Sequence, residues 1–249
     1  MRRELNPLDY VLMAAILMFA AMDGLIYSGA LKGEAAVAVP ALQAFGIPSG
    51  SAPGTDRTPT AADRAELDDS AELPGTYVPP QGRRHTGNYP LDLRVEFCRG
   101  GEPENTCYAS NPPTSGLHIG VQRNVRLEDG DRLNLPADPN IYDFEIPRES
   151  IPHLEEHAGV FVGHNCVSDA CRTTVERLKD LVFEELSLGG RIVMARDSDL
   201  AEDTIGLAAW TRFDTFAATD YTDERARSFI KAHSCRFDPE GFCKKRPVN

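Results

Sequence analysis

Between Tyr10 and Leu31 the chain carries a single formal charge, Asp23, and no proline. As a helix rising about 1.5 Å per residue, this stretch reaches roughly 30 Å, the thickness of a bilayer's hydrocarbon layer. Arg2 and Arg3 precede it and Lys32 follows it, a bias that keeps the N-terminus in the cytoplasm and exports the rest. Two readings compete. An uncleaved signal anchor uses residues 1–32 as cytoplasmic tip and transmembrane helix. A cleaved signal peptide uses Val11–Ala21 as its apolar core and Ala36-Val37-Ala38 as its cleavage site. That site lies far beyond the apolar core, which favours the anchor. Asp23 sits past the midpoint, where an acid costs less than the about 2.5–3.5 kcal/mol of the bilayer centre. Such a residue often faces a partner helix, so a membrane complex docked through the Asp23 helix is one expectation.

From Gly33 to Tyr89 the composition shifts to Ala, Pro, Gly, Ser, Thr and Asp. Prolines 48, 53, 59, 74, 79 and 80 interrupt any helix or sheet ladder. Residues 33–89 therefore read as a disordered, extracytoplasmic linker with one short helical turn around Ala61–Leu67. Residues 90–249 read as a disulfide-bonded globular domain. A net charge of -12 argues against a nucleic-acid partner, because neutralising phosphates takes concentrated Lys and Arg.

Inside the domain, Leu91, Leu93, Val95 and Phe97 alternate like a strand ending near Cys98. Asn111-Pro112-Pro113-Thr114-Ser115-Gly116 is a rigid loop, and Arg123–Asn140 is polar around a turn at Asp129-Gly130-Asp131. Val160-Phe161-Val162 forms a short strand. Ser168 or Asp169 caps a helix whose Val175, Leu178, Leu181, Val182 and Leu186 share one face, and Gly189-Gly190 ends it. Strands follow at Arg191–Arg196 and Ile205–Trp210. Thr222 then caps a last helix with Ala226, Phe229, Ile230 and His233 on one stripe. The order strand, helix, strand, strand, helix is an α+β class: a mixed or antiparallel sheet with two or three packed helices.

The densest chemical cluster is His153-Leu154-Glu155-Glu156-His157. It reads as H-x-x-E-H, in which two histidines ligate zinc and the Glu activates water. The reading needs a helix, where positions four apart lie about 6 Å apart on one face; in a strand they are roughly 13 Å apart. Gly159 ends that helix after barely two turns, short for a protease. The plain alternative is that both rings bond the main chain and organise a turn. His118, after the proline-rich loop, is the best further ligand. His233 sits on an apolar stripe, where a histidine is more often a satisfied core residue, and His85 falls in the linker, where it is expected to be merely solvated. Ser115 lacks the strand-to-helix elbow of a nucleophile.

The six cysteines pair by proximity as Cys98–Cys107, Cys166–Cys171 and Cys235–Cys243. A small bridge of this kind contributes about 2–3 kcal/mol through the unfolded state. The rival, a metal site from His164, Cys166 and Cys171, is disfavoured by export into an oxidising compartment.

Pro112-Pro113-Thr114-Ser115-Gly116-Leu117-His118, then His153-Leu154-Glu155-Glu156-His157-Ala158-Gly159-Val160, then Ala209-Trp210 and Phe229-Ile230 before His233 resemble domain of unknown function family 3105. The resemblance implies one N-terminal membrane segment, an exported domain and no established activity. Its motif positions match His118, His153, Glu156, His157, Trp210 and His233. Leu117 stands where the family usually has proline, and Ala158 where it usually has glycine.

These readings give three functional expectations. The first is a single-pass membrane protein whose periplasmic or extracellular domain is a binding or accessory module. His118, His153, His157 and His233 there surround zinc or copper, with Glu156 as ligand or orienting partner. The second is a metal-free structural subunit of a membrane complex. The third is a small metal-dependent hydrolase with Glu156 as general base; a non-enzymatic role is the favoured one.

Overall fold

The computed structural model describes residues 59–103 and 106–243. The expected transmembrane helix, with Asp23, lies outside them, as does the first part of the linker. Among the described residues no helix is long and apolar enough to cross a membrane.

In chain order the elements are α1 (Ala61–Glu66), β1 (Thr76–Tyr77), β2 (His85–Gly87), β3 (His118–Ile119), β4 (Gln122–Arg126), β5 (Arg132–Leu135), β6 (Asn140–Glu145), α2 (Ile151–Glu156), β7 (Val160–Asn165), α3 (Asp169–Ser187), β8 (Ile192–Arg196), β9 (Thr204–Ala209), β10 (Arg212–Ala217) and α4 (Asp223–His233). The class is α+β, with a mixed six-stranded sheet in the order β1-β10-β9-β7-β8-β6. β7 and β8 run parallel, joined by α3, while β9 returns antiparallel beside β7 rather than beside β8. The described residues hold four helices, not two or three.

Local chemistry explains the regular half. The Ser168 hydroxyl accepts from the Cys171 amide and starts α3; the Thr222 hydroxyl does the same for α4 from the Arg225 amide. Gly189, at φ +84°, closes α3. β7 is buried on both sides and uses its period of two: Val160 and Val162 meet α3 and α4, while Phe161 faces the opposite layer. That second layer holds Ile119, Leu127, Leu133, Leu135, Ile151 and Leu154. The candidate site is built upon it.

Three expectations are corrected. Leu91–Cys98 is not a strand: only an isolated bridge, Phe97 to Tyr108, forms there. Val95 is buried but Leu93 is 84% exposed. The Val95 amide donates to Glu149 and its carbonyl accepts from Arg148, so its backbone bonds go to side chains instead of a partner strand. β6 and β10 had no counterpart in the sequence pattern. β10 pairs along its whole length with β9 although Arg212 sits in it; that guanidinium is buried and donates to the carbonyls of Asp68, Ser70, Leu73 and Gly75. The segment from Thr60 to Tyr89, expected within the linker, has the expected helical turn as α1 but also contributes β1, on the sheet edge against β10, and β2.

The cysteine pairs are Cys98–Cys107, Cys166–Cys171 and Cys235–Cys243, which leaves no thiolates beside His164.

Candidate metal centre

The proline-rich loop is held from several sides before it reaches His118. Gly206 lets the Pro112 ring approach β9; a Cβ there would lie 2.9 Å from two of its ring carbons. The Thr114 carbonyl accepts from the Thr211 amide, and the Gly116 amide donates to Gly82. The Ser115 hydroxyl accepts from the Gln81 amide at 2.9 Å, a positioning role rather than a nucleophile's. The chain then enters β3, which pairs parallel with β2 so that His85 and His118 are in register.

His153 arrives from the other side, on α2. This helix ends in a Schellman arrangement: Gly159 N–H donates to Leu154 and Ala158 N–H to Glu155. Ala158 takes φ +66°, a conformation natural to glycine, which accounts for the glycine usual at that family position.

The rings of His85, His118 and His153 form a triangle with centroid separations of 4.7, 4.8 and 5.1 Å. One ring nitrogen from each lies within 4.8 Å of the other two. Nitrogens sharing a tetrahedral ion sit about 3.3 Å apart at Zn–N distances near 2.0–2.1 Å, so a modest inward movement closes the set. His118 Nδ1–H donates to the Gly116 carbonyl at 2.9 Å and His153 Nδ1–H to the Ile119 carbonyl at 2.6 Å. Both Nε2 atoms are thereby turned away from the main chain, the orientation that metal-ligating histidines take from a carbonyl partner. Burial, opposed by the Ile119 bond, pushes His153 down to about 4, so at neutral pH it offers a neutral imidazole.

Glu156 approaches the triangle from one side. Its Oε2 lies 3.3 Å from His118 Nε2, and its Oε1 is 3.8 Å from Arg83 Nε. Burial opposes its ionisation, but His118, Arg83 and His153 outweigh it and hold the carboxyl below the ordinary glutamate range. His118 Nε2 is itself buried without a hydrogen-bond partner.

The remaining predicted residues lie elsewhere. His157 caps α2 instead of continuing it; its ring stacks on Phe242 at 4.1 Å, with Nε2 3.5 Å from Glu240. Its amide still closes the helical turn onto the His153 carbonyl and its ring touches His153, at 4.6 Å between centroids, but it is not one of the three converging donors. His233 is buried against Phe229 and hydrogen-bonds Pro74 through Nε2, while Nδ1 is buried without a partner; it lies in the core, as its apolar stripe suggested. Trp210 stacks on Phe237 and donates to Glu66, tying α1 to β9. His85 was missed. Arg83-Arg84-His85 has no apolar periodicity, and only the backbone pairing with β3 brings it in. In a second acidic group, Glu145, Asp197 and Asp199, Asp199 is held by Arg148 through two bonds and by Arg94 through a third.

No curated protein and no solved structure matches this chain. One family model, described as Protein of unknown function (DUF3105), matches residues 102–245, which span the proline-rich loop, α2 and α4. Carrying His118, the His153–His157 segment and Trp210 in the places just described, the chain belongs to this family of proteins of unknown function.

Proposed function

We propose that this protein is a membrane-anchored binding or accessory module whose exported domain holds one transition-metal ion through His85, His118 and His153. Glu156 supplies a fourth donor or orients His118. The observation that carries the reading is the triangle of rings in which two Nδ1 atoms are tied to main-chain carbonyls, leaving ring nitrogens that converge. Imidazole donors suit zinc or copper. The apolar stretch at Tyr10–Leu31 supports the anchor, and three cysteine pairs at bonding distance support an oxidising, extracytoplasmic compartment. Docking through the Asp23 helix is the partner expectation that follows.

Elemental analysis of the purified full-length chain tests the metal. About one zinc or copper per chain is expected for a single site. His85→Ala, His118→Ala and His153→Ala should lose it, whereas His233→Ala should keep it. No metal above background in the wild type overturns the reading.

A further inference from the structure

A cavity of about 440 Å³ opens directly onto the histidine triangle. His85 and His153 are in its wall, whereas His118 and Glu156 are not. Glu156 therefore closes the far side of the centre, and the near side is left to the cavity. The adjoining ring, His157, is covered by Phe242 and Glu240.

The wall has two kinds of surface. Leu135, Pro136, Ala137, Val193 and Phe242 make it apolar, and Arg123 and Arg191 bring two guanidiniums to it. Arg191 spends Nε on the His157 carbonyl at 2.7 Å and stacks over Phe242. Among the described residues its two terminal amino groups have no hydrogen-bond partner, although the charges of Asp138 and Asp238 act on it from a distance, and the guanidinium of Arg123 is exposed. Of the two acids in the wall, Asp138 accepts from Asn134, and Glu240 lies 3.5 Å from the His157 ring. An open side of the ion, two guanidiniums with no carboxylate bonded to their terminal groups, and an apolar floor fit one ligand chemistry. The volume is in the range of small-molecule sites.

Resting on the metal reading above, we infer that this cavity seats a small organic carboxylate. One carboxylate oxygen completes the coordination of the ion, Arg191 and Arg123 neutralise the charge, and the hydrocarbon body packs on Phe242 and Val193.

Cobalt(II) loading of the full-length chain, with benzoate and acetate as probes, tests this, because the visible bands of cobalt report its coordination. Benzoate should shift the bands saturably and bind about tenfold or more tighter than acetate, since a buried ring adds apolar contact. Arg191→Gln should weaken benzoate about tenfold or more, as expected for losing a charge-assisted hydrogen bond, with cobalt stoichiometry unchanged. Should Arg191→Gln fail to fold, the exposed Arg123→Gln carries the test with a smaller loss. Bound cobalt whose bands ignore benzoate overturns the cavity inference alone. So does equal affinity for the two acids, or benzoate affinity unchanged in the arginine variants. Failure to bind cobalt overturns the metal reading and the inference with it.

Discussion

The two faces of the central sheet are covered in opposite styles. One face carries α3 and α4, two capped helices whose apolar stripes meet Val160, Val162, Ile192, Met194, Ile205 and Leu207. The other carries short strands, the proline-rich loop and the six-residue α2, and it buries polar groups: His118, His153, Glu155, Glu156 and Ser115. The first face is a stabilising core. The second uses that core as a floor on which donors from distant segments are gathered. Stability and the metal centre should therefore respond to different substitutions.

The strongest way to break this contrast is a crossed pair. Leu178 is fully buried in α3, and Leu178→Ala should cost about 2–5 kcal/mol in urea unfolding while the folded fraction keeps its metal. His85 is exposed, so His85→Ala should move stability by no more than about 0.5 kcal/mol. It should nonetheless weaken metal binding more than the about 10–100-fold typical of outer-shell changes. If His85→Ala unfolds the domain or Leu178→Ala empties the site, the two faces are not separable.

Acid should act on the helical face. Burial holds His233 and His164 down at about 4, against about 6.5 in the unfolded chain. The unfolded state binds the extra protons, so stability is full above pH 6.5 and falls as pH drops from there towards 4. His233 alone accounts for a loss on the order of 2–3 kcal/mol. His233→Gln, which retains a donor for Pro74, should flatten the slope measured by denaturant melts across that window.

Glu155 runs the other way. It is fully buried on the site face, and neither carboxyl oxygen has a hydrogen-bond partner. Burial, only partly opposed by Arg236, raises its carboxyl well above the ordinary value. The folded state keeps the proton that the unfolded state gives up, so its contribution is intact below about pH 4.5 and is lost as pH rises. Glu155→Gln should stabilise the protein at pH 8 by about 1–3 kcal/mol, with the gain shrinking towards pH 4. A constant gain across that range would mean the carboxyl is ionised in the fold.

The smallest effect sharpens the account of how α2 ends. Ala158 holds a left-handed conformation that costs an L-residue roughly 1–2 kcal/mol. Ala158→Gly relieves it and returns part of the gain as unfolded-state entropy. The melting midpoint should rise by an amount equivalent to about 0.5–1 kcal/mol, with metal binding unchanged.

The helical face was legible because its information is local. Ser168 and Thr222 sit where caps belong, Gly189 where a helix must stop, and the stripes on α3 and α4 repeat at the helical period. Each cysteine pairs with its nearest neighbour in the chain. On the site face, the His153–Glu156 segment and the loop before His118 advertised themselves through residue type and spacing. The same cues do not show that the His157 ring turns to Phe242 and Glu240, because that contact comes from a distant part of the chain. β10 escaped because a buried arginine breaks its apolar pattern, and that arginine is tolerable only with four carbonyls folded around it. His85 escaped for a related reason: no apolar period runs through Arg83-Arg84-His85, and its place depends on a parallel pairing with a strand more than thirty residues away.

The amino-acid sequence by itself determined where α3 and α4 begin and end, which faces they bury, which cysteines join, and the family to which the chain belongs. These follow from chemistry acting over a few residues. The folded structure alone decided which imidazoles meet, that His85 joins His118 and His153, and that an arginine-lined cavity opens on the cluster. Those outcomes rest on backbone pairing and packing between segments far apart in the chain, where short-range propensity carries no record of the partner.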